Sequence, residues 1–291
     1  MQQLDIFADS EPVQRANDLI AALADLNYSA ARQAMHLLTI CDPNHNDLPQ
    51  FERLCNFLEQ GLCNAPSGSN IAVAAEEKRI REQLIPAVTV MGDTGKTLVR
   101  KCWSLLAKAS EDAKIAPEQG DCFAAELYLR AHRFQDTVRT ANGIPAAKIR
   151  ATAQRWLALG YYGCGETECA KQAVLRYAWL SPQRFDSLIA EINNTELTRD
   201  WSRFQDDLEE LDADWFPAWC VHENKFVNTA LDNLPAGDGV TAYRLISDLA
   251  IRERNGICPT VIEKRMRLKQ LNESFFAFYM KHRTDLHARS I

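Results

Sequence analysis

Apolar residues recur every three to four positions along most of this chain, the spacing that lines one face of a helix. Leu19, Ile20, Leu23 and Leu26 form such a stripe over 16–26. After the turn Asn27-Tyr28-Ser29 a second helix is expected over 29–40, stopped by Cys41-Asp42-Pro43. Phe51, Leu54, Cys55, Leu58 and Leu62 predict a helix over 48–62, and 64–70 (NAPSGSN) reads as a loop and hinge. A charged helix over 74–90 runs into Pro86, and another follows over 97–109. Shorter helices are expected over 122–131 and 135–142, the latter ending at Asn142-Gly143.

The densest pattern lies at 153–182. Trp156, Leu159 and Tyr162 share one helix face, and Gly160 leaves room for a close neighbour. Gly163 and Gly165 break that helix, and Thr167-Glu168 starts the next. Ala170, Ala173, Val174, Tyr177 and Ala178 face inward until Ser181-Pro182. Beyond it, helices are predicted over 182–193, 195–214, 241–254, 260–271 and 273–281. In 195–214, Trp201, Phe204, Leu208, Leu211 and Trp215 share a face opposite the acids. No period-two alternation is present apart from the short run Val88-Thr89-Val90, so the expected fold class is all-α.

Trp156, Leu159, Gly160, Ala170 and Pro182 fall on the W-x2-L-G … A … P pattern of the tetratricopeptide repeat, which this stretch resembles; its turn is about two residues short of the usual period. Ala125, Tyr128 and Phe134 occupy the corresponding places of a preceding unit. Phe134 and Thr167, at equivalent turns, are 33 residues apart, close to the family period of about 34. Tyr28, Ala31 and Pro43 match half a unit more. The resemblance covers 121–182 and 26–44. It implies a curved stack of antiparallel helical hairpins, a TPR-like α-solenoid. Its concave surface would be lined by the first helix of each unit, here carrying Tyr128, Arg130, Lys148 and Arg155. Such a basic groove suits an acidic peptide; the alternative is that these charges only solubilise ordinary helical hairpins in a bundle. The implied organisation is a tail over 1–14, a helical region over 15–118 and a repeat-like region over 119–291, capped by its last helices through Phe275, Phe276, Phe278 and Tyr279.

Composition adds limits. Among 291 residues, 46% hydrophobic and 25% charged is the balance of a globular chain. The net charge of −6 gives no reason to expect nucleic acid as a partner, although 252–289 is locally basic. Charge is also blocked: 128–160 holds six Lys or Arg against Asp136, and 196–214 holds eight acids against Arg199 and Arg203. The first residues lack the basic start and apolar run of a signal peptide, and no stretch reaches membrane-spanning length. A cytoplasmic location without membrane partners is therefore expected.

Candidate chemistry is sparse. Nine cysteines include no Cys-x-x-Cys, and no His residues complete a zinc spacing, so neither metal nor cofactor is expected. Cys164 and Cys169 flank the turn of the central hairpin. Gly92-Asp93-Thr94-Gly95-Lys96-Thr97 has part of a phosphate loop, but Val90 stands where its first glycine belongs, and a loop of that kind needs a strand before it. A turn between helices is the favoured reading there, with a nucleotide-binding protein as the alternative, and the aromatic cluster at 215–219 reads as core. The expected function is a non-enzymatic interaction scaffold or adaptor. Near the N-terminus, Gln3-Leu4-Asp5-Ile6-Phe7 resembles the Q-L-[SD]-L-F peptide by which many bacterial proteins bind the DNA polymerase sliding clamp. That resemblance implies Leu4, Ile6 and Phe7 as anchors and Gln3 as a polar register contact, in a replication or repair accessory protein. The alternative has these apolar residues folding back onto the first helices.

Overall fold

A computed structural model of the protein describes residues 10–61, 70–225, 233–253 and 256–288. Its secondary structure is helical throughout, with no strand among the described residues. None of the described helices is long and apolar enough to cross a membrane. The chain divides into two compact units, Met1–Thr140 and Ala141–Ile291.

In the first unit, α1 (Glu11–Ala24) and α2 (Tyr28–Cys41) pack along one another. The turn between them holds Leu26 at φ 58°, and the Asn27 side chain caps α2 by accepting from the Ala30 N–H at 3.1 Å. Leu19, Leu23, Ala31 and Leu38 turn inward against α3 (Leu48–Glu59), which contributes Phe51, Leu54 and Phe57. Then α4 (Asn70–Arg79) runs into a π-turn at Ile80–Leu84, followed by the single turn α5 (Ile85–Ala87). Pro86 has no N–H and its ring crowds the preceding turn, which a locally widened helix accommodates. The apolar run Val88–Met91 is a 3₁₀ turn rather than a strand.

Helix α6 (Gly92–Asp112) is longer than the pattern predicts, starting five residues earlier, at Gly92. It buries Leu98, Cys102, Trp103 and Leu106 in the same core. The next helix, α7 (Ala124–Arg130), packs along α6, so residues 119–140, grouped above with the repeat-like region, belong to the first unit; α8 (Phe134–Asn142) crosses the division.

The second unit is built around α9 (Ala151–Cys164) and α10 (Thr167–Leu180), the expected central pair. Gly165, at φ 78°, ends α9, and the N–H groups of Gly165 and Glu166 satisfy carbonyls of its last turn. Trp156 and Gly160 are buried as the spacing predicts, but Leu159 is only half-buried while Leu157 turns in. Helix α10 is buried without a break from Ala173 to Trp179, Arg176 included. A single stripe would suit one neighbour. This helix has α9, the 3₁₀ turn Ala213–Trp215 and α13 (Phe216–His222) around it.

Helix α11 (Phe185–Ile192) leads into α12 (Thr195–Asp207), whose N-terminus is capped by Asn194. The pattern predicts one helix to 214, but α12 ends seven residues sooner. Leu208 leaves the helical region at φ −144°, and Pro217 is tolerated only in the first turn of a new helix. The 215–219 cluster is core: Phe216 and Trp219 are fully buried, and Phe216 meets Trp201 edge-on at 5.3 Å and Trp219 in a stack at 5.8 Å. Three helices close the unit, α14 (Asp238–Arg252), α15 (Pro259–Leu271) and α16 (Glu273–Ala288). Phe275, Phe278 and Tyr279 dock the last of them, with Phe275 5.2 Å from Trp215.

Candidate functional site

The four basic or aromatic residues expected to line a partner groove are divided between the units. Tyr128 and Arg130 lie on α7 of the first; Lys148 and Arg155 belong to the second. Tyr128 is 6% exposed, and its hydroxyl donates to Glu111 Oε2 at 2.7 Å, joining α7 to α6. Burial, then this bond, pushes the Tyr128 hydroxyl up to about 12. Burial works against the Glu111 carboxylate too, but Arg139 at 2.9 Å and the Tyr128 hydroxyl hold it below the usual range.

Arg130 lies over the Trp103 ring at 5.2 Å. Its guanidinium reaches Glu77 at 2.7 Å, Asp121 at 2.5 Å and Glu126 at 3.3 Å. Arg155 donates to Glu191 Oε2 at 2.8 Å, tying α9 to α11. Lys148 is exposed in the short turn Ala147–Ile149. The polar ends of Tyr128, Arg130 and Arg155 are thus engaged inside the fold. Gln3, Leu4, Asp5, Ile6 and Phe7 lie outside the described residues, as does most of the hinge at 64–70.

Around 92–97 the two glycines serve the turn differently: Gly92 stands at φ 57° with open space where a Cβ would be, and Gly95 has a steric role. A Cβ on Gly95 would stand 2.4 Å from the Val88 carbonyl oxygen and 2.9 Å from Val88 Cβ, so the first turn of α6 sits directly on the 3₁₀ turn. Lys96 pairs with Asp93 at 2.8 Å, and the Thr97 hydroxyl donates to the Asp93 carbonyl at 3.3 Å. The element entering this turn is helical. Cys164 and Cys169 are both free thiols; burial, then Glu166, pushes the Cys164 thiol up, away from the reactive thiolate. Among the described residues no group of three or more His, Cys, Asp or Glu is arranged to hold a metal ion.

A concave site does occur where α12 ends. A groove of about 580 Å³ runs between the segment 206–211 and α16, lined there by Ser274, Ala277, Phe278 and Lys281. Its position follows from α12 itself. Leu197, Trp201, Phe204 and Leu208 point inward; Asp200 is buried with them and pairs with Lys225 at 3.0 Å, whereas Asp206, Asp207, Glu209 and Glu210 point out. Where the helix stops, Leu208 plugs the core, and a tight turn closes with the Leu211 N–H on the Leu208 carbonyl at 2.9 Å. The groove therefore has an apolar floor of Leu208, Leu211 and Phe278 beside the exposed Asp206, Asp207, Glu209 and Glu210, with Ser274, Ala277 and Lys281 on the α16 side.

All four rim carboxylates are exposed. Asp207 also accepts from the buried Trp219 indole at 3.1 Å, which fixes the rim to the aromatic core. Asp206, Glu209 and Glu210 form no ion pair among the described residues. Clustered carboxylates beside an apolar floor focus a negative potential and attract cationic groups that also carry apolar surface. The acids were visible as a block in the sequence; their meeting with 274–281, some seventy residues later, was not.

No protein-family model, curated protein or solved structure matches this chain, so what the groove can do is argued from its own residues.

Proposed function

We propose that the protein is a non-enzymatic interaction module and that the groove between 206–211 and α16 receives a basic, amphipathic helical segment of a partner protein. The observation that carries this reading is the apolar floor bordered by Asp206, Asp207, Glu209 and Glu210, three of them with neither an ion pair nor a side-chain hydrogen bond among the described residues. Helix-in-groove recognition works in this way: apolar residues at i, i+3 or i+4, and i+7 anchor in the groove, and flanking charges set register and partner choice. The polarity is opposite to that of the basic groove expected from Arg130 and Arg155, whose charges serve the fold. Paired helices, α1 with α2 in the first unit and α9 with α10 in the second, support a scaffold built from repeat-like hairpins.

The test is fluorescence anisotropy with a labelled synthetic helical peptide carrying Leu and Lys at helical spacing. The full chain should bind it in a salt-dependent manner. Glu209→Lys combined with Glu210→Lys should weaken binding by about tenfold or more, equivalent to about 1.4 kcal/mol. Unchanged affinity in that variant removes the groove from the reading.

The peptide Gln3-Leu4-Asp5-Ile6-Phe7 supports a second reading, a replication or repair accessory protein tethered to the bacterial sliding clamp. A short extended peptide gains affinity by seating two or three apolar anchors in preformed pockets. Leu4→Ala with Phe7→Ala should abolish binding to purified clamp and leave thermal stability nearly unchanged. Strong destabilisation by the pair would instead assign these side chains to the core.

A further inference from the structure

Helix α15 carries apolar surface on two sides. Val261 and Leu268 are fully buried where the helix packs on α14 and α16. Lys264 and Arg265 on the same side are engaged, with Asp248 at 2.6 Å and Glu253 at 2.9 Å. Away from this side, Ile262 is 52% exposed and Met266 is 58% exposed, and Ile257, just before the helix, is 65% exposed. Positions 262, 266 and 269 follow the i, i+4, i+7 spacing of one face, so Lys269 extends the Ile262–Met266 stripe, and the exposed Glu263 and Arg267, an i, i+4 pair, lie along its other side. Arg267 has no ion pair among the described residues, and Lys269 has only the exposed Glu273 at 3.6 Å. This face matches the ligand inferred for the groove in two respects: it has two apolar anchors one turn apart, and Arg267 and Lys269 stand near them, with the exposed acid Glu263 alongside.

We propose that the groove's partner is a second copy of this chain, which presents the exposed face of α15. Ile262 and Met266 of one copy would cover the apolar floor at Leu208, Leu211 and Phe278 of the other, with Arg267 and Lys269 directed at Asp206, Glu209 and Glu210. The inference rests on the groove reading above and names its occupant. Both surfaces belong to the second unit. Within one chain α15 cannot turn this face into its own groove without withdrawing Val261 and Leu268 from the core. The contact is therefore intermolecular and heterologous, joining two different surfaces of two copies, and it either closes into a small ring or propagates.

Sedimentation equilibrium of the full chain, up to about 100 μM as suits a small, weak interface, tests this. At low salt the weight-average mass should rise above the monomer's 32.9 kDa with concentration. It should fall back at about 1 M salt, where screening shortens the reach of charge to about 3 Å. Two charge-reversed variants sharpen the test: Glu209→Lys with Glu210→Lys in the groove, and Arg267→Glu with Lys269→Glu on α15. All four positions are exposed, and circular dichroism checks that each variant folds. Each variant alone should be monomeric, and an equimolar mixture should associate again, because each reversed surface then meets its opposite. A wild type that stays monomeric, a reversed variant that associates as the wild type does, or a mixture that stays monomeric overturns the proposal. If the wild type is monomeric and still binds the synthetic peptide, self-association alone fails; if it binds neither, the groove reading fails with it. A monomer that binds phosphatidylserine vesicles through Ile262 and Met266 would replace the second copy with a lipid surface.

Discussion

Gly239, in the first turn of α14, is the sharpest test of how the second unit is packed. A Cβ at this position would stand 2.1 Å from the carbonyl oxygen of Asp214, 2.5 Å from its carbonyl carbon and 2.8 Å from its carboxylate Oδ2. Normal contact for such atoms is roughly 3.5 Å, so Gly239→Ala demands a shift of more than 1 Å. The two nearest atoms are backbone and cannot yield as a flexible side-chain end would. The favourable side is small, since exchanging Gly for Ala gains at most about 1 kcal/mol inside a helix and less in its first turn. Overpacking costs about 1–3 kcal/mol, and backbone contact places this case at the upper end. There is a second loss. The Gly239 N–H donates to Asp214, whose carboxyl is pushed up by burial and then by Asp212, and this bond opposes that shift. Moving α14 away leaves that carboxylate less satisfied. The net expectation is a loss of about 2 kcal/mol, seen in calorimetry as a melting temperature lowered by about 4–8 °C for a unit of this size. Gly165→Ala is the control: at φ 78° with no atom within 4 Å of the added Cβ, it meets conformational strain alone, about 1–2 kcal/mol. A Gly239→Ala protein that melts at or above the wild-type temperature would refute the close approach of α14 to the 213–215 turn.

Two further tests concern the first unit. Arg79 donates to the carbonyls of Phe57 at 2.9 Å and Gly61 at 3.2 Å, pairs with Glu76 at 2.8 Å and covers the Phe57 ring at 4.7 Å. Arg79→Ala should cost about 3–5 kcal/mol in denaturant titration, because Glu76, 7% exposed, is left as a buried charge without its partner; a cost below 1 kcal/mol would refute this. Glu76 also sets a pH dependence: burial raises its pKa and Arg79 only partly opposes this. With the folded pKa above the unfolded one, the folded state holds the proton more tightly, so this residue's contribution to stability is greatest below the unfolded pKa and declines as pH rises through the folded pKa. Glu111, with its pKa lowered, has the opposite sign, its stabilisation being lost as pH falls through its folded pKa. Glu76→Gln should remove the decline on the alkaline side of the ordinary Glu range, and the same slope in variant and wild type would rule Glu76 out as its source.

Helix position and type were legible because their signals are local. The 3.6-residue apolar period and the breakers Asn27, Gly165 and Pro182 mark α1, α2, α9 and α10 to within a few residues, and the 215–219 cluster reads as core from its composition alone. What each helix packs against is not a local property. Tyr128 and Arg130 look like exposed residues of a binding helix, yet α7 lies along α6, and Glu111 and Glu77 supply partners that no spacing reveals. Gly95 resembles part of a phosphate loop until Val88 is found 2.4 Å from where its Cβ would stand. The end of α12 at Asp207 depends on how Leu208 meets the core and on where Pro217 begins the next helix. The groove is the clearest case. The acid block of 196–214 was plain in the sequence, but a site needs a floor and an opposite wall, and only tertiary packing brings α16 to that block. Side-chain periodicity reports which face of a helix is apolar; burial and charge pairing depend on what lies across from that face, as Glu77 lies across from Arg130, 53 residues away.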